Sequence, residues 1–170
     1  MNRALLITLL ALSACSVEEK SQSGETSASK LDKQAIAAGI LLDSKNLSLS
    51  GQFETRSELG VDKFCATNSG SDFDIGMLAV FGPESKCEAR GTARINGEKI
   101  DVTLSGKEGC KFSAIYDGTE ISVPGALEEG CSSYCSPRAS FSGTSYFMVS
   151  QGDDAARKSL GRDFKRLCGN

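Results

Sequence analysis

The chain reads as mainly β: a small antiparallel β-barrel or strongly curved sheet of about eight strands with a short N-terminal and a short C-terminal helix, an open β-sandwich being the alternative. Three observations predict this class for residues 31–170. Apolar and polar side chains alternate with period two over much of 51–149, Asn96-Gly97 and Asp117-Gly118 punctuate the alternation, and paired-number cysteines stand at 65, 87, 110, 131, 135 and 168. No internal repeat of fixed period is present.

Taken in order, the first element is a helix over 31–42, where Ser29 and Asp32 form a capping arrangement ahead of Ala35-Ile36-Ala37-Ala38-Gly39-Ile40-Leu41-Leu42. Strands follow over 51–55, 61–66 and 73–81. The third places Phe73, Ile75, Met77, Ala79 and Phe81 on one face, while Leu78 and Val80 make its other face apolar too. That second face needs a cover, and the 31–42 helix is the element available.

The clearest unit is a hairpin turning on Asn96-Gly97, a pair favoured where both turn residues need positive φ. With Ile95 opposite Glu98, Ala93 faces Ile100, Gly91 faces Val102 and Ala89 faces Leu104, and the opposite face is polar. Arg94 then stands against Lys99, the one like-charge pair in this register. A second hairpin turns on Asp117-Gly118, with Ala114 facing Ile121 and Phe112 facing Val123. Pro124 ends it, since it cannot donate to a ladder. A last strand is expected over 139–149. Asp153 is placed to cap a short helix to Leu160, Gly161 to end it in a left-handed conformation, and 163–168 to return to the body.

The start of the chain decides location. Met1-Asn2-Arg3 is a short positive region, residues 4–12 are almost unbroken apolar, and small residues precede Cys15. This is a signal-peptide pattern, shorter than the about 20 residues a spanning helix needs. Leu12-Ser13-Ala14-Cys15 resembles the lipobox of bacterial lipoproteins. The resemblance covers only these first residues. It implies cleavage before Cys15, lipid attachment to its thiol, and a mature chain held at the membrane of the cell envelope. Ser16 in place of Asp implies the outer membrane, facing the periplasm or the cell surface. Two or three acyl chains on one residue suffice for stable anchoring.

Residues 1–14 are therefore read as signal peptide and 15–30 as a lipidated flexible tether. Residues 16–30 hold one bulky apolar side chain, Val17, too little to offset the entropy of ordering. Such a tether has an r.m.s. reach of about 20 Å. Residues 31–170 form a single disulfide-braced β domain.

Composition removes several functions. The net charge of −3 and the lack of a basic stripe with aromatic platforms exclude nucleic acid as a partner. The chain has no histidine, which removes Ser-His-Asp and Cys-His catalysis. There is no Gly-x-Ser-x-Gly elbow and no phosphate loop. Exported cysteines in even number are read as disulfides, and Cys131 with Cys135 lacks the second pair and the histidines of a zinc site. The expected pairs are Cys87 with Cys110, Cys131 with Cys135, and Cys65 with Cys168. The first needs the sheet to curl, because outer strands of a flat three-stranded sheet lie about 10 Å apart.

The remaining candidates are weak. Asp72 and Asp74 lack the spaced acid of a calcium loop, and Glu128-Glu129 is an adjacent pair of a polar loop. Arg157, Lys158, Arg162, Lys165 and Arg166 make the C-terminus basic, interleaved with Leu160, Phe164 and Leu167. No metal, cofactor or catalytic residue is assigned. The expected function is a non-catalytic binding module for an envelope protein or small ligand; the alternatives are a structural part of an outer-membrane complex and, less favoured, a carboxylate-dependent or Ser-Lys hydrolase. In architecture the reading resembles small envelope lipoproteins that inhibit lysozymes or proteases, without their sequence motifs.

Overall fold

The computed structural model describes residues 27–38, 47–106 and 109–169. Cys15, the signal peptide, most of the tether and residues 39–42 of the expected first helix lie outside them.

Eight strands form one closed antiparallel barrel in simple meander order: β1 (Gly51–Ser57), β2 (Gly60–Ser69), β3 (Asp72–Val80), β4 (Lys86–Asn96), β5 (Lys99–Leu104), β6 (Cys110–Tyr116), β7 (Glu120–Ser122) and β8 (Ser145–Gln151), with β8 returning to β1. The barrel was expected, and closure excludes the sandwich. It also leaves no sheet edge exposed. Helix α1 is Ser27–Ala37 and α2 is the single turn Asp153–Ala156.

The lumen is filled. Phe53, Phe64, Met77, Tyr116, Phe141 and Tyr146 are all fully buried within it. Phe53 stands edge-on to Phe64 at 5.6 Å and to Tyr116 at 6.0 Å, a geometry aromatic quadrupoles favour. Tyr116 donates to the carbonyl of Ser48 at 2.8 Å at the end where the chain enters the barrel. At the opposite, far end, Phe141 of the long β7–β8 connection is buried beneath its own loop.

Both hairpins keep the expected faces but shift in register by two residues. Ile95 pairs with Ile100 and Asn96 with Lys99, so the turn is Gly97-Glu98. Gly97 has φ +64° and Glu98 is not at positive φ, which matches a type II′ turn with glycine first rather than the type I′ expected of Asn-Gly. The shift sets Arg94 opposite Asp101 and removes the Arg94–Lys99 repulsion. In the second hairpin Tyr116 pairs with Ile121, and the Asp117 carboxylate accepts the N–H groups of Thr119 at 2.8 Å and Glu120 at 2.7 Å. That turn chemistry needs two more loop residues than the Asp-Gly reading allowed.

The cover of β3 is a different element from the one expected. Helix α1 has no buried residue. Leu78 and Val80 on the outer face of β3 pack instead with Ala156, Leu167 and Cys168 of the C-terminal segment, together with Cys65 of β2. At Gly76 of β3, an added Cβ would collide with the backbone and side chain of Leu167. Ser27–Ala37 also begins inside the range read as tether, so Ser27, Ala28, Ser29 and Lys30 are helical. Near the C-terminus, α2 is one turn, and Gly161 packs on Glu88 without the expected left-handed conformation. The last strand starts at Ser145, since 139–144 belong to the loop that holds Phe141.

Candidate interaction surface

Of the three expected disulfides, Cys65–Cys168 is present, with α-carbons 6.0 Å apart, and it fastens the end of the chain to the outside of β2. The other two are re-paired as Cys87–Cys135 and Cys110–Cys131, with α-carbons 4.0 and 4.7 Å apart. The reason is geometric. β5 stands between β4 and β6, which keeps Cys87 and Cys110 two strands apart. β5 stops at Leu104, and the 3₁₀ turn Glu129–Tyr134 and the residues after it fill the far end beside β4. Ser136 N–H donates to the carbonyl of Lys86 at 2.8 Å, and Cys87 and Cys135 form an isolated antiparallel bridge. Each strand cysteine thus meets one cysteine of the same loop.

The C-terminal strap is the main feature outside the barrel. Its start is held by Asp153, whose carboxylate accepts the Ser50 hydroxyl at 2.5 Å and the backbone and side-chain N–H groups of Asn68 at 3.0 and 2.9 Å. These donors, the Ser50 hydroxyl first, hold the carboxyl below the usual aspartate range. The strap then crosses β2 and β4. Lys63 Nζ donates to the carbonyl of Leu160 at 3.1 Å, Arg162 donates to the carbonyl of Pro83 at 2.5 Å, and Arg90 donates to that of Arg166.

Between Ser159 and Leu167 the strap doubles back. Leu167 N–H donates to Ser159 at 2.8 Å, Gly161 N–H to Lys165 at 2.8 Å, and Phe164 N–H to Gly161 at 3.3 Å. Phe164 stands at the tip with φ 58° and is 84% exposed. Positive φ is unusual for a bulky side chain. Lys165 and Arg166, next to it in the chain, are exposed; Arg157 and Lys158 are exposed at the foot of the strap, where the Arg157 stem lies against Gly169; and Asp163 is the one acid among residues 157–166.

Beside the strap lies an open cleft of about 610 Å³ lined by Lys86, Glu88, Ser136 and Asp163, among others. Lys86 Nζ is 2.8 Å from Glu88 and 3.8 Å from Asp163, while Ser136 Oγ accepts the Lys86 backbone N–H instead. The Lys86 ammonium is thus engaged by carboxylates and the Ser136 hydroxyl by backbone. Asp72 is bound in bidentate fashion by Arg94, at 2.7 and 3.0 Å, which lowers its carboxyl below the usual range, and Asp74 faces solvent on the same strand. Glu128 and Glu129 are exposed at the start of the 3₁₀ turn. Among the described residues, no three His, Cys, Asp or Glu side chains converge as a metal site would require. Burial raises the Asp62 carboxyl and pushes the Tyr116 phenol up to about 12.

Compared with known proteins, the chain matches no family, no curated protein and no solved structure. The strap tip was missed as a site because the sequence presents Phe164 as one of three apolar residues that could dock inward. Only the fold separates Leu167, which does so, from Phe164, which does not.

Proposed function

We propose that this chain is a lipid-anchored envelope protein whose barrel is a non-catalytic binding module, engaging a macromolecular surface with its exterior. The observation that supports this reading over a small-ligand carrier is the filled lumen. Six large side chains occupy the space where an eight-stranded barrel would otherwise house a ligand, and the clefts that remain are open surface features. The lipobox-like Leu12-Ser13-Ala14-Cys15 supports the anchor.

Native mass spectrometry of the chain purified from its own envelope tests the binding mode. A mass equal to that of the lipidated, three-disulfide polypeptide is expected; a small molecule released only on unfolding would overturn the reading. The anchor is tested by Cys15→Ala, which should abolish acylation and move the protein out of the membrane fraction.

A structural role in a larger envelope complex is the second reading. Ile115, Phe147 and Val149, exposed on outer positions of β6 and β8 away from the strap, favour it.

A further inference from the structure

We propose that the tip of the strap is a membrane-contacting loop: Phe164 enters the interface of an anionic bilayer while Lys165 and Arg166 beside it bind its phosphate headgroups. The proposal rests on the lipid-anchored reading above and names the surface that such a protein turns toward its membrane.

The first support is how the strap divides its apolar residues. Leu167 is buried against Leu78 and Val80, and Cys168 is bonded to Cys65, so the underside already has what holds it to the barrel. Phe164 contributes nothing to that contact. It is held outward, in a conformation unfavourable for a bulky residue, by the ladder of backbone bonds between Ser159 and Leu167. A local departure of this kind, maintained by its surroundings, is what a contact site requires.

The second support is charge. Lys158, Lys165 and Arg166 have no carboxylate partner among the described residues. Arg157 has Asp153 and Asp154 at 3.6 Å each, and Asp163 lies 3.8 Å from Lys86. The chain as a whole is acidic, at −3, so two exposed cations beside one exposed aromatic, with Asp163 drawn toward Lys86, are a local reversal of sign. Aromatic tip and long cationic stems together fit the interface of an anionic bilayer, where the ring sits at headgroup depth and the charged ends reach phosphate.

The third support is shape. The tip is convex and offers one large apolar side chain, whereas a stable protein interface needs about 800 Å² on each partner. One ring and two cations fall short of that area. They suffice to orient a domain that acyl chains already hold nearby. Reach is ample: residues 16–46, about 30 in number, separate Cys15 from the barrel, and the 11 residues of α1 take up only about 16 Å of that path. By count alone, twenty further residues allow a span of up to roughly 65 Å, beyond the width of a domain this size.

Because the chain contains no tryptophan, Phe164→Trp gives a single fluorescent reporter in the full chain. Flotation with phosphatidylcholine vesicles reads the acyl anchor alone. Emission from position 164 in vesicles containing phosphatidylglycerol reads the loop, and does so whether or not the anchor is present. The expected result is a blue shift and quenching by lipids brominated near the headgroup, in anionic vesicles only. Raising salt to 1 M, where the screening length is about 3 Å, should reverse it. Phe147→Trp, on the other side of the barrel, should stay water-exposed throughout. Emission from position 164 that stays open to aqueous iodide on anionic vesicles would overturn the proposal. The double variant Lys165→Gln, Arg166→Gln should lose the shift; retention of the shift would overturn the headgroup contact.

Discussion

Leu167 lies directly over Gly76, so close that position 76 has no room for a side chain. In an open strand, Gly→Ala stabilises by about 0.5–1 kcal/mol. Here the sign should reverse: Gly76→Ala must lift the strap and should cost about 1–3 kcal/mol. Combining it with Leu167→Ala should cost less than the sum of the two changes, because a strap that has already lost its apolar anchor is freer to lift its backbone away from the added methyl. Urea midpoints of the two single variants and the double variant check this, and strict additivity would place the strap elsewhere.

The disulfides give a second expectation. Non-reducing peptide mapping should recover Cys65 with Cys168, Cys87 with Cys135, and Cys110 with Cys131. The first closes a separation of 103 residues and the last one of 21. In the chain-entropy account their removal costs about 4–5 and about 3 kcal/mol respectively. Replacing both Cys65 and Cys168 by Ser should therefore destabilise more than replacing Cys110 and Cys131, with the barrel still forming. A Cys87–Cys110 peptide would contradict the placement of the 129–136 loop beside β4.

Period-two patterning made the barrel strands legible because inward and outward positions alternate whatever the register. For the same reason pattern alone does not decide register: a shift of two residues leaves every side chain on its face, and both hairpins are displaced by that amount. Charge could have decided one of them, since Arg94 prefers Asp101 to Lys99. The terminal bridge was legible by elimination around two wrong pairs. Those pairs failed because a loop folded into the gap beyond Leu104, a tertiary event with no period of its own. Assigning the β3 cover to α1 failed similarly, since amphipathic character says that a face needs covering and not which segment covers it.

The hairpin register itself is testable at two adjacent residues. Gly97 occupies the positive-φ position, so Gly97→Ala should cost about 1–2 kcal/mol. Asn96 is a paired strand residue with one long side-chain contact to Asp101, at 3.4 Å. Asn96→Ala should therefore fall within about 0.5 kcal/mol of the parent. Thermal melts decide it; comparable losses at both positions would restore the Asn-Gly turn.

Asp153 ties the start of the strap to Ser50, just ahead of β1, and to Asn68 of β2, and its contribution carries a pH signature. The Ser50 hydroxyl, then Asn68, lower its carboxyl in the folded protein below the unfolded value of 3.8. A lowered folded value means that the charged form stabilises the fold: the contribution is complete above about pH 5 and is lost as pH falls through 3.8 and then through the lower folded value. Asp153→Asn should therefore cost about 1 kcal/mol at pH 7, given that the side chain is 26% exposed and partly screened. The gap between parent and variant should narrow steadily as pH falls below 3.8. Asp62 runs the other way, since burial raises its carboxyl: its neutral form is the favoured one, and the corresponding stability is present in acid and lost as pH rises through the raised folded value. Urea titrations of the parent, Asp153→Asn and Asp62→Asn from pH 2 to 7 separate the two. A gap for Asp153→Asn that stays constant into acid would show that the hydrogen bonds, and not the carboxylate charge, hold the strap.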